Sequence, residues 1–459
     1  MKIAQAFRLS LVIVLILSVS SCDTSNKRTI ATIQKTQVSY PDWVKSANIY
    51  EVNIRQFTPE GTFKAFVPHI ARLKNMGVDI LWLMPVHPIG VVNRKGSRGS
   101  YYSVQDYKLI NPEFGSPEDF KNLVEEAHRN GMYVIIDWVA NHTSWDNVLM
   151  ERSRDFYTKD STGKIISPVP DWTDVADLDY TNHELWEFMT AAMLFYVQEY
   201  KIDGYRCDVA GMVPLEFWQK LRATLNEIKP IFMLAEDEKP ALFEGAFDMD
   251  YGWNMHHIFN NIVKGEASAE AIRNELNKIS NEYPPHAIKM NFTSNHDENS
   301  WNGTEYERLG DAVECFAALT VALPGMPLVY SGQEAGLDKR LSFFDKDLID
   351  WTPDKMTDVY KALFLLKDEN PALWNGQDGG TTTFIATEKS DQILAFSRDL
   401  PENTLLCMFN VSQEPIEFSF NTDGYRGKYI NALTGEEVKI TKDFKQSLPA
   451  WSYLILKKK

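Results

Sequence analysis

The sequence predicts an α/β fold: a closed (β/α)8 barrel of the TIM type with a short excursion after its third strand, followed by a C-terminal antiparallel β-sandwich domain. Three observations carry this. From about residue 44, short apolar runs alternate with amphipathic stretches, the signature of repeated strand and helix units, and the runs number eight. After about Gly376 the texture changes to short runs with two-residue alternation, separated by Gly, Asn, Asp and Pro. At 459 residues the chain is too long for one ordinary domain but suits a barrel of roughly 250 residues or more plus a smaller module.

Taken in order, strands are predicted over 49–53, 80–84, 133–138, 204–207, 231–235, 247–251, 289–292 and 328–330. Helical stretches fall between them. The helix predicted over 117–130 has Ser116 to cap its start and Gly131 to supply a left-handed stop. The segment at about 143–182 is too long for an ordinary connection and is expected to form a small domain at the barrel mouth. The barrel would span 44–375. Over 376–459 the runs "TTTFIAT", "QILAFSR", "TLLCMFNV", "IEFSF" and "SYLILKK" predict the β domain.

The N-terminus begins with Lys2 and Arg8, continues with an apolar stretch from Leu9 to about Val19, and reaches Val-Ser-Ser-Cys at Cys22. This resembles a bacterial lipoprotein signal over 1–22, with Cys22 as the lipidated residue and 23–43 as a tether. An ordinary signal peptide or a membrane helix are the alternatives, although the stretch is shorter than the ~20 apolar residues a spanning helix needs. The expected location is the bacterial cell envelope. The remaining Cys207, Cys315 and Cys407 are odd in number and lack zinc-like spacing, so neither a disulfide framework nor a metal cluster is indicated. A formal net charge of −16 argues against a nucleic-acid partner, which needs clustered Lys and Arg. A neutral substrate fits better.

Four of the apolar runs end in chemically loaded residues. "MYVIIDWVANH" delivers Asp137 and His142, "KIDGYRCDVA" delivers Asp208, "IFMLAED" delivers Glu236, and "IKMNFTSNHDENS" delivers His296 and Asp297. In such barrels active sites lie at the strands' C-terminal ends. A buried carboxylate costs several kcal/mol unless it is paired or used. Arg206 and Asp208, two positions apart, face one side of their strand, so the arginine is expected to keep the carboxylate ionised, as a nucleophile requires. The same pair could be a buried salt bridge. Glu236 follows apolar residues that would raise its pKa, as a general acid requires, although taken alone it reads more readily as an ordinary strand-end carboxylate. Two carboxyls on successive strands, close to 5 Å apart, match the separation that retaining glycosidases use.

In order, "DWVANH", "GYRCDVA", "MLAED" and "FTSNHD" resemble the four motifs of the α-amylase family, glycoside hydrolase family 13, and the likeness covers roughly residues 44–459. The resemblance implies Asp208 as nucleophile, Glu236 as acid/base and Asp297 as a carboxylate that binds substrate hydroxyls in the transition state. His142, Arg206 and His296 match residues that contact the sugar at the cleaved site. "GSYYSVQDY" resembles the segment with a stacking tyrosine, which adds Tyr102 and Asp106. "PGMPLVYSGQE" resembles the eighth strand. Trp145, Trp172, Trp253 and Trp301 are candidate sugar platforms, although each taken alone reads more readily as packing.

The resemblance also implies a structural Ca²⁺ held in part by Asn141 and by Asp177 of "VADLD", and no organic cofactor. Asn141 could equally close a turn, and Asp177 could be a loop acid with local hydrogen bonds. Gly211-Met212 replace the family's Lys-His pair after the nucleophile, which removes a sugar contact. The implied activity is retaining hydrolysis of α-1,4-glucosidic bonds in starch, glycogen or maltooligosaccharides. An α-glucosidase, a cyclomaltodextrinase or neopullulanase, and a glucanotransferase stay open within the family. A catalytically inactive carbohydrate-binding barrel is the non-enzymatic alternative, against which all three carboxylates survive.

Overall fold

Eight short strands, buried almost throughout, each pair in parallel with the next, and the last pairs with the first. They are β1 (Ile49–Val52), β2 (Ile80–Leu83), β3 (Tyr133–Trp138), β4 (Gly204–Cys207), β5 (Phe232–Ala235), β6 (Met249–Tyr251), β7 (Ile288–Asn291) and β8 (Met326–Tyr330). The ladder between β8 and β1, with Ile49 opposite Leu328, closes the barrel. This computed structural model describes residues 40–459, so the predicted signal, Cys22 and the tether up to residue 39 lie outside the described residues.

Alternation along the strands sorts side chains into two layers. Ile49, Ile80, Trp82, Ile135, Phe232, Leu234, Met249, Ile288, Met290 and Leu328 fill the barrel interior. Tyr50, Leu81, Val134, Ile136, Tyr205 and Met233 point outward and pack with the helices. The helix Pro117–Arg129 starts on a reciprocal capping box between Ser116 and Asp119, and Gly131 follows its end at φ 69°. Packed structure begins earlier than the sequence suggested. Tyr40 is buried and Trp43 stacks on Tyr133 at 4.0 Å, so the expected tether boundary at 43 gives way to packed structure from residue 40.

The excursion after β3 is held by an antiparallel pair, His142–Ser144 with Val175–Asp177. After the barrel, an antiparallel six-stranded sheet runs in the spatial order Thr381–Phe384, Ile393–Leu400, Asn403–Asn410, Ser452–Lys458, Gly427–Asn431 and Glu437–Ile440. A second pair, Ile416–Ser419 with Lys445–Leu448, shares an apolar core with it that includes Leu406, Met408, Ile416, Phe418 and Leu456. The sheet's other face packs Phe396, Cys407, Phe409 and Ile455 into the barrel's core. The barrel helix Val313–Ala322, apolar nearly all round, is buried between the two domains.

Candidate active site

Strand register sets the first two acids side by side. Cys207 at the end of β4 lies opposite Ala235 at the end of β5, so the next residues, Asp208 and Glu236, emerge together at the rim. The backbone N–H of Glu236 donates to Cys207 O at 2.9 Å, which fixes that register. The two carboxyls are in hydrogen-bond contact. Between them Val209 adopts a left-handed conformation, φ 37° and ψ 46°, uncommon for a β-branched residue. The turn aims the Val209 N–H at Glu236 Oε2, 2.8 Å away.

Beneath the acids one guanidinium serves three carboxylates. Arg206 donates to Asp137 Oδ1 at 2.8 Å and to Asp208 Oδ1 at 3.0 Å, and its Nη2 lies 2.9 Å from Glu236 Oε1. Its Nε donates to the Tyr251 hydroxyl at 3.1 Å. A second chain of contacts runs from Asp137 to the third acid. The Tyr102 hydroxyl donates to Asp137 Oδ2 at 3.0 Å and lies 2.8 Å from His296 Nε2, which is 3.3 Å from Asp297 Oδ2. On the ring's other side, His296 Nδ1 lies 2.5 Å from Glu51 Oε1. His142 Nε2 is 3.9 Å from Asp208 Oδ2. Asp208, Glu236, Asp297, Tyr102 and His142 all face one cavity of about 550 Å³.

Burial and crowded charge reset the protonation states. Burial, then the facing Glu236 charge, pushes the Asp208 carboxyl well above the usual carboxylate range against the pull of Arg206. Burial also works to raise Glu236, but Arg206 and the Val209 N–H outweigh it and hold this carboxyl below its ordinary value. The guanidinium thus serves Glu236 as well as Asp208. The two groups titrate as one coupled unit. Burial raises Asp137 to about 6 despite Arg206. It lowers His142 to about 4, so that ring is neutral. For His296 burial acts downward, but Asp297 and Glu51 outweigh it and the ring titrates at about 9. At neutral pH His296 thus donates from both nitrogens.

Asp106 is the sequence candidate the structure leaves out. Its carboxylate accepts the Lys108 N–H at 2.8 Å and its charge is felt by Tyr196 in the outer helical layer, so it closes a turn away from the cavity. Of the four tryptophans, Trp172 and Trp301 line the cavity. Trp253 instead stacks on Tyr251, and the Trp145 indole donates to Thr173 O. Sequence reasoning missed Glu51, which anchors His296. Its signal was an acid inside the apolar run of β1, fully buried.

The residues proposed for calcium do not make a calcium cage. Asn141 and Asp177 are near neighbours, since the Leu178 N–H donates to Asn141 O. Ca²⁺ takes six to eight oxygens. Here the Asn141 amide nitrogen faces the His142 ring at 3.3 Å and the Asp177 carboxyl accepts a hydrogen bond from Thr158. Among the described residues no group of three or more His, Cys, Asp or Glu is placed to hold a metal.

A closed parallel barrel with three acids converging on one cavity at its C-terminal rim defines a barrel-type glycoside hydrolase. Comparison with known proteins makes this particular. The family described as Alpha amylase, catalytic domain, matches residues 20–172 and 169–392, and that described as Maltogenic Amylase, C-terminal domain, matches 382–455. The chain belongs to the α-amylase family of glycoside hydrolases. It is 26% identical over 431 residues to Alpha-amylase MalA of Haloarcula japonica, covering 89% of this chain and 63% of that relative's length. It is 24% identical to the Maltogenic alpha-amylase of Bacillus acidopullulyticus, covering 91% of this chain and 78% of the relative. Among solved structures, an alpha-amylase from Lactobacillus plantarum shares 31% identity at a TM-score of 0.82, covering 90% of this chain and 99% of that one. The noncanonic maltogenic alpha-amylase AmyB from Thermotoga neapolitana shares 29% at 0.84, covering 91% and 99%.

Proposed function

We propose that the protein is a retaining hydrolase of α-1,4-glucosidic bonds in starch, glycogen fragments or maltooligosaccharides. The observation that carries this is the contact pair Asp208 and Glu236, delivered by adjacent strand ends over a single guanidinium. Carboxyls delivered side by side from adjacent strand ends stand far closer than the roughly 6.5–9.5 Å that an inverting pair keeps for its water. Retaining chemistry follows from that spacing. The names of relatives, maltogenic amylases and cyclomaltodextrinases among them, support an α-glucan as substrate.

The reaction needs the shared proton on Glu236. Because the carboxyls touch, one hop across their hydrogen bond moves it there and leaves Asp208 as a carboxylate held by Arg206. An Asp208 oxygen then bonds to the anomeric carbon as the glycosidic C–O bond breaks, and the departing oxygen takes the Glu236 proton. Water attacks the resulting glycosyl ester, giving its proton to Glu236 and freeing Asp208. Cationic His296 and Tyr102 face the retained sugar, where they can hold hydroxyls, and the Asp297 carboxylate faces the positive charge that develops there.

Proton NMR of a fresh maltooligosaccharide digest tests the route. The first product signals should belong to the α anomer; β product would mean an inverting reaction and end this reading. We further propose that Cys22 carries a lipid that tethers the enzyme to the cell envelope, on the strength of the apolar run from Leu9 that precedes it. Labelled palmitate should enter the wild type and not Cys22→Ser; equal labelling of both would refute the anchor.

A further inference from the structure

The barrel's strand order gives the cavity a direction. In the closed ring, β1 stands diametrically opposite β5, the strand that delivers Glu236, and β2 and β8 flank β1. The connections after β2 and β8 are joined there by residues 90–99, which cross the rim from the excursion to the loop after β8. Three sets of contacts hold this crossing in place. At its start, the Val91 N–H donates to Asp146 Oδ2 at 2.9 Å. In the middle, the Lys95 ammonium donates to Asp171 O at 2.7 Å and pairs with the buried Asp174 carboxylate at 3.0 Å, 5.9 Å from the centre of the Phe344 ring. At its end, the Ser97 N–H donates to Asp345 Oδ1 at 2.8 Å and the Arg98 N–H to Phe344 O at 3.0 Å. Gly96 lets the strap lie against the second wall: at φ 63°, a Cβ there would sit 2.4 Å from Phe344 Cβ.

The strap stands at the end of an aromatic shelf. Tyr102 stacks with Phe343 at 6.2 Å, and Trp301 lies 5.1 Å from Phe343 and 5.7 Å from Phe344. Trp301 is half exposed, and Trp301, Phe343, Phe344 and Lys95 all line the cavity. Such a shelf suits the apolar faces of sugar rings, and a strap across its end limits how many rings fit.

We infer that the strap of residues 90–99, locked by Lys95, closes the glycone end of the cleft, so that the enzyme counts a short, fixed number of glucosyl units from a free non-reducing chain end. This rests on the hydrolase reading above, because it is the role of Glu236 as acid that puts the departing chain on the β5 side and the retained sugars on the side of Tyr102, Asp297 and the shelf. Lys95 is then a residue that sets specificity by excluding longer occupants, a steric form of discrimination.

The test compares maltoheptaose with maltoheptaose capped at its non-reducing end by a 4,6-O-ethylidene group, with products followed by chromatography. The full-length wild type should cleave the capped chain at least about 10-fold more slowly and release one short product size from the open chain from the outset. Lys95→Ala, which unties the strap from the excursion, should reduce that ratio to within about threefold. Gly96→Val, which pushes the strap off Phe344 and leaves Lys95 in place, should act in the same direction. Equal rates on both substrates by the wild type, or internal products from the first minutes, would overturn the closed end while leaving the hydrolase reading intact. Two folded variants as selective as the wild type would remove the strap's role. Failure to cleave either substrate would instead bring down the functional reading and this inference with it.

Discussion

Two buried arginines in this molecule do opposite jobs. Arg222, on the helix Leu215–Asn226, donates through two nitrogens to the two oxygens of Asp248, at 2.7 and 3.0 Å. Asp248 also accepts the Met233 N–H at 2.9 Å, so one cation faces one well-satisfied anion. Arg206 is as deeply buried, yet it is shared by Asp137, Asp208 and Glu236. The balanced pair fastens a helix to the barrel. The unbalanced cluster cannot ionise fully, because three carboxylates crowd one guanidinium, so it retains a proton that chemistry can use. Surplus negative charge around a buried cation is thus what separates the working site from the structural one.

The sharpest attempt to break this contrast targets the cluster. Asp208→Asn and Glu236→Gln should each lower kcat by on the order of 10³-fold or more. Both should unfold at or above the wild-type temperature, since each removes a charge from an over-crowded group. Near-normal turnover in either variant, or a large loss of stability in both, would show the cluster to be structural. Next in size comes the balanced pair. Asp248→Asn leaves Arg222 buried with its counterion removed, which should cost about 3–5 kcal/mol in a urea melt. Turnover per folded molecule should stay near the wild-type value, and a selective fall in kcat would blur the contrast.

A smaller effect tests the charge relay beyond the cluster. His296 titrates at about 9 in the folded protein, above its unfolded value of 6.5. The stability it contributes is therefore fully present below about pH 6.5 and is lost as pH rises through 9. Glu51→Gln removes one of the two charges that raise it, so the imidazole signal should move toward 6.5 by NMR. The decline in stability between pH 7 and 9 should shrink by on the order of 1–2 kcal/mol. An unmoved titration would mean that Glu51 does not hold the ring.

The same contrast explains what was legible before any coordinates. All eight barrel strands were readable, with ends displaced by no more than two residues, because each is a short apolar run bounded by turn signals. The strands Gly427–Asn431, Glu437–Ile440 and Lys445–Leu448 were not singled out, since each buries a single residue and its apolar signal is too short to stand out from the polar residues around it. At the site, Asp208, Glu236 and Asp297 stood out as acids ending apolar runs. Glu51 did not, because its partner His296 lies 245 residues away and only barrel closure brings them together. Nor could local spacing show that Arg206 bends to three acids rather than one. Asp106 misled for the converse reason: it sits near Tyr102 in sequence, but the turn points it outward.

The smallest expected effect concerns Val209, where the cluster's geometry is held by strain. A β-branched residue at φ 37° costs roughly 1–3 kcal/mol, and the surroundings maintain it because the turn aims an N–H at Glu236. Val209→Gly relieves that strain but adds the entropy of a glycine and gives up part of a half-buried side chain. The net gain should be about 1 kcal/mol, a rise of a few degrees or less in Tm. Freed of its bias, the turn should hold the N–H less firmly on Glu236, so kcat should fall a few-fold even as the fold tightens. A variant that is both less stable and fully active would mean that the left-handed turn serves packing alone, and that the cluster's charges, not its backbone, position the acid.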